Sequence, residues 1–157
     1  MTFRGISKTA LIIMLLSTSA AALAADGPKI ERIQARLFYS HSGSLSAPIT
    51  PDAALWNVII GEGDASEPSE STLVDVILRG EPGDYPPGVL DIVVTETRSG
   101  KVVLKRTSAL GIFSAQGRFH VPVWLSDTGC IPLTVKASLR GGGGSRASLD
   151  IPFHCGE

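Results

Sequence analysis

The sequence is short of nearly every residue type that does chemistry. Among 157 residues there are two cysteines, three histidines and two methionines. Cys130 and Cys155 do not form a Cys-x-x-Cys pair, and two thiolates alone do not complete a tetrahedral zinc site. His41, His120 and His154 are too scattered for a metal centre, which needs at least three converging ligands. Both methionines, Met1 and Met14, fall in the first 24 residues. The remaining chain therefore lacks the ligands of a methionine-type copper carrier. Gly-x-Ser-x-Gly and Ser-x-x-Lys are both absent, and Ser40–Ser44 reads as a small-residue turn. The glycines at 141–144 lack the Lys-Ser/Thr and following helix of a phosphate loop. No acid, base and nucleophile set can be assembled, so no catalytic residue, metal or cofactor is expected.

Charge is also scarce, at 18% of residues, against 43% hydrophobic. That balance excludes a disordered chain. The formal net charge is −1, which excludes the basic surplus that nucleic-acid binding requires. The length suits one domain, on a prior of roughly 100–200 residues each.

The N-terminus has the three zones of a cleavable leader. Arg4 and Lys8 are positive, Ala10–Leu16 is apolar, and Ala22-Leu23-Ala24 offers small residues at the −3 and −1 subsites. The apolar stretch is interrupted by Ser17, Thr18 and Ser19, short of the ~20 residues of a membrane span. The expectation is a signal peptide over 1–24, cleavage after Ala24 and a single domain over 25–157. The mature chain would then be periplasmic or secreted, with no membrane span. In an oxidising compartment Cys130 and Cys155 make one candidate disulfide.

After residue 28 no stretch carries a helical apolar period. Short runs rich in Val, Ile, Leu, Thr and Phe alternate with Gly, Pro, Ser and Asp. The runs read as strands are 30–39, 55–60, 72–79, 89–97, 102–107, 118–125, 131–139 and 148–154. The 45–50 segment, bounded by Pro48 and Pro51, allows at most an edge strand. The pattern predicts an all-β fold: a single immunoglobulin-like antiparallel β-sandwich of 7–9 short strands, with a small barrel as the alternative. The last two strands form a hairpin around the glycine tract. Facing apolar residues places Leu133, Val135 and Ala137 opposite Phe153, Ile151 and Leu149. That register leaves the cysteines one residue out of step, so Cys130 is expected to curl from the preceding turn.

Asp127-Thr128-Gly129 matches the tripeptide of aspartic proteases, in which two aspartates share a proton. Only 28 residues follow it, and the downstream strand of such an enzyme is missing. It reads instead as a turn, with a hydrolase as a remote alternative. The segment Gly61–Ser71 is acidic but fits no calcium-loop spacing, and reads as a solvated loop with a partner-binding role as its alternative. Trp56, in an apolar run, is expected in the core. Trp124 is different: strict alternation sends Phe119, Val121, Val123 and Leu125 inward, leaving Trp124, His120 and Arg118 on the outer face. Exposed Trp and Arg are the residues of interface hot spots.

Charge is unevenly spread: residues 25–91 sum to −7 and residues 92–157 to +4. Arg98, Lys101, Lys105 and Arg106 gather around one predicted hairpin, a polarity suited to steering a charged partner. The reading is an exported, non-enzymatic module that binds another exported protein as an accessory, inhibitor or chaperone. A structural subunit that pairs through an edge strand is the alternative.

Overall fold

The computed structural model describes residues 27–56, 63–141 and 144–154. The predicted leader lies outside them. The chain forms eight strands: β1 Lys29–Tyr39, β2 Ser44–Leu45, β3 Ser71–Arg79, β4 Val89–Glu96, β5 Val102–Ala109, β6 Arg118–Ser126, β7 Leu133–Arg140 and β8 Arg146–Ile151. They make two four-stranded sheets, β2-β1-β3-β6 and β5-β4-β7-β8, with every ladder antiparallel. The sheets pack as a sandwich.

Alternation explains why. Val74, Val76 and Leu78 on β3 and Val121, Val123 and Leu125 on β6 point inward from the first sheet. Leu90, Ile92 and Val94 on β4 meet them from the second, with Val135, Ala137 and Leu139 on β7. Period-two side chains bury one face and leave the other wet. Each fully buried aliphatic side chain contributes about 1.5–3 kcal/mol. Phe113 and Phe153, both from outside the strands, close the core and are almost fully buried. Thr128 and Thr72 are also buried, their hydroxyl oxygens 2.8 Å apart.

Two expectations need correction, and two fall partly outside the described residues. Of the 55–60 run, Leu55 makes one isolated parallel bridge to Phe153, and 57–60 lie outside the described residues. Trp56 accordingly is not a core residue. It is half-buried and stacks on His154, with centroids 5.4 Å apart. The β7–β8 register places Leu133 opposite Ile151 and Val135 opposite Leu149, two residues from the predicted pairing. A two-residue shift preserves the inward face, so hydrophobic matching alone cannot choose between the registers. Phe153 is free to bridge Leu55 because the hairpin ends at Ile151. Pro132, lacking an N–H, starts β7 late and leaves Ile131 half exposed.

The expected Cys130–Cys155 disulfide reaches beyond the described residues. No disulfide joins two described residues, because Cys155 lies outside them. Cys130 is not a free thiol, and it sits in the turn ahead of β7 rather than in the β7–β8 ladder.

Candidate functional site

The outer face of the first sheet carries the residues singled out by alternation. Trp124 stands opposite Leu73 on β3, His120 opposite Ile77 and Arg118 opposite Arg79. On the far side of β3, Leu73 faces Arg36, Asp75 faces Gln34 and Ile77 faces Arg32 of β1. Trp124 is 45% exposed. Its ring does not lie in open solvent, however, but meets Phe38 of β1 edge to face, with centroids 5.0 Å apart. Two aromatic rings therefore span the strand between them.

The polar half of the face is held by pairing. Arg118 donates from Nε and Nη2 to the Glu31 carboxylate at 3.1 and 3.3 Å. That hydrogen bond holds the Glu31 carboxyl below its usual range against a burial effect of opposite sign, with Arg118, Arg32 and Arg79 adding attraction. His120 Nδ1 lies 2.7 Å from Asp75 Oδ2. The second Asp75 oxygen, Oδ1, is buried without a hydrogen-bond partner. Ile77 is only 1% exposed although it points outward, away from the core cluster. The neighbouring Arg32 and His120 flank it in the two ladders. The face thus divides into an aromatic end, Phe38 and Trp124 beside Leu73, and an ion-paired end, Glu31, Arg118, Asp75 and His120.

The structure brings Trp124, His120 and Arg118 onto this one face and separates them from the other histidines. His41 lies in the turn after β1, and His154 stacks on Trp56 beyond β8. Among the described residues no group of three or more His, Cys, Asp or Glu could hold a metal ion. The His120–Asp75 pair is flanked in register by Ile77, Pro122 and Gln34, none of which supplies a nucleophile.

The Asp127-Thr128-Gly129 segment is a turn. Asp127 takes a positive φ of 55°, and the Thr128 N–H donates to Glu70 O at 3.0 Å. The Thr128 hydroxyl is spent on Thr72, inside the fold. The acidic segment, described from Gly63 onward, is tied down rather than fully solvated. Asp64 Oδ2 accepts the Ala54 N–H at 2.8 Å, Ser66 N–H donates to the Tyr39 hydroxyl, and Ala65 and Ser69 are buried. The basic hairpin is partly committed as well. Lys101 pairs with Glu96, and Arg106 donates to the Pro122 carbonyl oxygen across the side of the sandwich.

Phe38 and Ile77 were not singled out by the sequence reading. Phe38 lies between Leu37 and Tyr39, where an unbroken apolar run hides which residue faces out. Among the described residues no helix is long and apolar enough to cross a membrane. No protein-family model matches the chain, and no curated protein matches it.

Proposed function

We propose that this chain is an exported, non-enzymatic, immunoglobulin-like module that binds another protein through the Phe38–Trp124 end of the β1-β3-β6 face. The observation that carries this reading is Trp124, a large ring left 45% exposed on a rigid sheet and braced by Phe38. A pre-positioned aromatic loses little freedom on binding, and Trp and Arg anchors supply much of the energy of protein interfaces. Arg118, held by Glu31, adds a fixed cation at the other end of the same strand.

The strand order supports the immunoglobulin-like label. β3 pairs with β1 and β6, β4 pairs with β5 and β7, and the chain alternates between sheets in Greek-key fashion. The leader pattern supports export, which mass spectrometry of the mature N-terminus tests. A product still carrying Met1 would refute it. The absence of a nucleophile beside His120 and Asp75 in register supports a non-enzymatic role.

A photo-crosslinking side chain placed at Gln34 or Ser126, which border the aromatic end, tests the interface in living cells. The expected result is an adduct with a discrete protein, lost on Trp124→Ala and absent when the probe sits at Ser99. An adduct that survives Trp124→Ala, or one equally strong from Ser99, would overturn the assignment.

A further inference from the structure

The outer face of the second sheet carries positive charge that the fold does not use. The segments that build this sheet, 89–109 and 133–151, hold seven Lys and Arg against three Asp and Glu. Part of that charge is committed. Lys101 pairs with Glu96 at 3.2 Å, and Arg106 reaches the Pro122 carbonyl oxygen at 2.8 Å. Arg140 grips Asp91 from Nε and Nη2 at 2.5 and 3.0 Å, and the Thr107 hydroxyl donates to the same carboxylate at 2.7 Å. Asp150 accepts the Thr134 hydroxyl at 2.7 Å.

Lys136 and Arg146 have no ion pair among the described residues. Lys136 faces Ser148 in the β7–β8 ladder and Ser138 faces Arg146. The two cations are thus diagonal neighbours on one face, with alpha carbons roughly 7–8 Å apart. Lys105 adds a third: Val93 pairs with Lys105 on one side and with Lys136 on the other. Lys136 and Arg146 border a trough of about 630 Å3, floored by Val93, Thr95, Ser138 and Ser148 and bordered also by Asp91, whose carboxylate Arg140 holds.

The same face shows what such donors hold. At Asp91, an arginine fork and a threonine hydroxyl close on one carboxylate, and the pairing draws that carboxyl below its usual range, Arg140 acting first and Thr107 second. Arg146 and Lys136, with the hydroxyls of Ser138 and Ser148 beside them, repeat this donor set along the trough. Planar guanidinium and carboxylate groups match bidentately, and a lysine beside them adds an undirected positive charge.

We propose that the outer face of β4, β7 and β8 is a docking surface for an acidic polypeptide segment. Arg146 and Lys136 take its carboxylates, and Val93 supports its aliphatic carbons. This surface lies on the opposite sheet from Trp124 and is independent of the role proposed there. Two features favour a polypeptide over an anionic membrane. The trough floor is hydroxyl-rich and carries no aromatic ring, and its two or three cations fall short of the roughly four to eight that mark anionic-lipid recognition.

Fluorescence anisotropy with a labelled eight-residue peptide of alternating glutamate and valine tests the proposal on the purified protein. Binding is expected, weakening as salt rises. Lys136→Glu and Arg146→Glu should each lower the affinity about tenfold or more, as reversal of a close interfacial charge does. Lys101→Glu changes net charge equally but sits at an occupied pair, and Trp124→Ala lies on the other sheet. Both should stay within about twofold of the parent. Thermal melts check that the reversals fold, and Lys136→Gln and Arg146→Gln replace any that do not. Absence of peptide binding overturns the proposal, as does equal weakening by Lys101→Glu. Tighter binding of phosphatidylglycerol vesicles or of a heparin fragment than of the peptide, lost on the same reversals, overturns it in favour of a lipid or polysaccharide.

Discussion

Phe38 and Trp124 touch across a strand that belongs to neither. Their rings meet 5.0 Å apart with planes at 65°, above the β3 residues that separate β1 from β6. An edge-to-face pair of this kind contributes about 0.5–1.5 kcal/mol beyond its buried area.

A double-mutant cycle on Phe38→Ala and Trp124→Ala should therefore return a coupling of about 0.5–1.5 kcal/mol in urea melts. Trp124→Ala alone should cost about 1 kcal/mol. Phe113→Ala, at an almost fully buried site, should cost about 3–5 kcal/mol. Trp56→Ala should fall below the Phe113 variant, because Trp56 stacks on His154 rather than filling the core. Additive effects at Phe38 and Trp124 would show that the rings act separately.

Gly117 and Gly43 share a left-handed backbone, with φ of 69° and 68°, but their surroundings differ. A Cβ on Gly117 would stand 2.5 Å from the carbonyl oxygen of Gly80, whereas one on Gly43 meets nothing within 4 Å. Gly43→Ala should cost about 1 kcal/mol, the steric penalty of that backbone region alone. Gly117→Ala should cost more, because the Gly80 N–H also donates to Gly117 O at 3.0 Å and holds the two segments together. Chemical denaturation of both variants gives the comparison, and equal losses would contradict it.

Thr128→Val leaves the buried Thr72 hydroxyl without its partner, at a cost of about 1–3 kcal/mol. Adding Thr72→Val should recover part of that loss, since it removes the hydroxyl that the first change orphaned. A double variant as unstable as the sum of the singles would mean that the pair contributes no specific coupling. The same melts probe whether the Asp-Thr-Gly turn serves the fold through its threonine.

Acid should expose the surface pairs. Glu31, Glu96 and Asp91 all have carboxyls drawn below their usual values of 4.5, 4.5 and 3.8, mainly by hydrogen bonds from Arg118, Ser99 and Arg140 respectively. The folded state favours the ionised forms, so their contribution is complete above the unfolded values and lost as pH falls through the lower folded ones. The melting temperature should therefore start to fall once pH drops below about 4.5 and continue below 3.8. Asp91→Asn should shrink that acid limb, and added salt should flatten it. An unchanged limb in the Asn variant would remove Asp91 from the account.

Much of the fold could be read from period-two alternation, because only one inward set per strand builds a core. β6 shows this best: its four inward residues leave Trp124 no other face. The reading failed where alternation carries no information. Two β7–β8 registers two residues apart bury the same face, so Phe153 could be assigned to the hairpin although it bridges Leu55. Phe38 escaped notice because its importance depends on Trp124, 86 residues away, and a single sequence cannot show that contact. Lys136 and Arg146 were visible only as part of the net charge, since pairing at Asp91, Glu96 and Pro122 decides which cations remain available.

The order of the strands also governs how the molecule can assemble itself. The whole β4–β5 hairpin lies in sequence between β3 and its partner β6, and β6 lies between that hairpin and β7, the partner of β4. Three of the six ladders, β1–β3, β3–β6 and β4–β7, are thus closed by residues distant in sequence. Each closure loses chain entropy before its contacts form, which places folding of such topologies in the millisecond-to-second range. The strands of each sheet are interrupted in sequence by strands of the other. A fragment ending before β6 would lack a strand from the first sheet and two from the second, so the halves cannot behave as separate folding units. Stopped-flow refolding of the whole chain should show this as a slow, single cooperative phase.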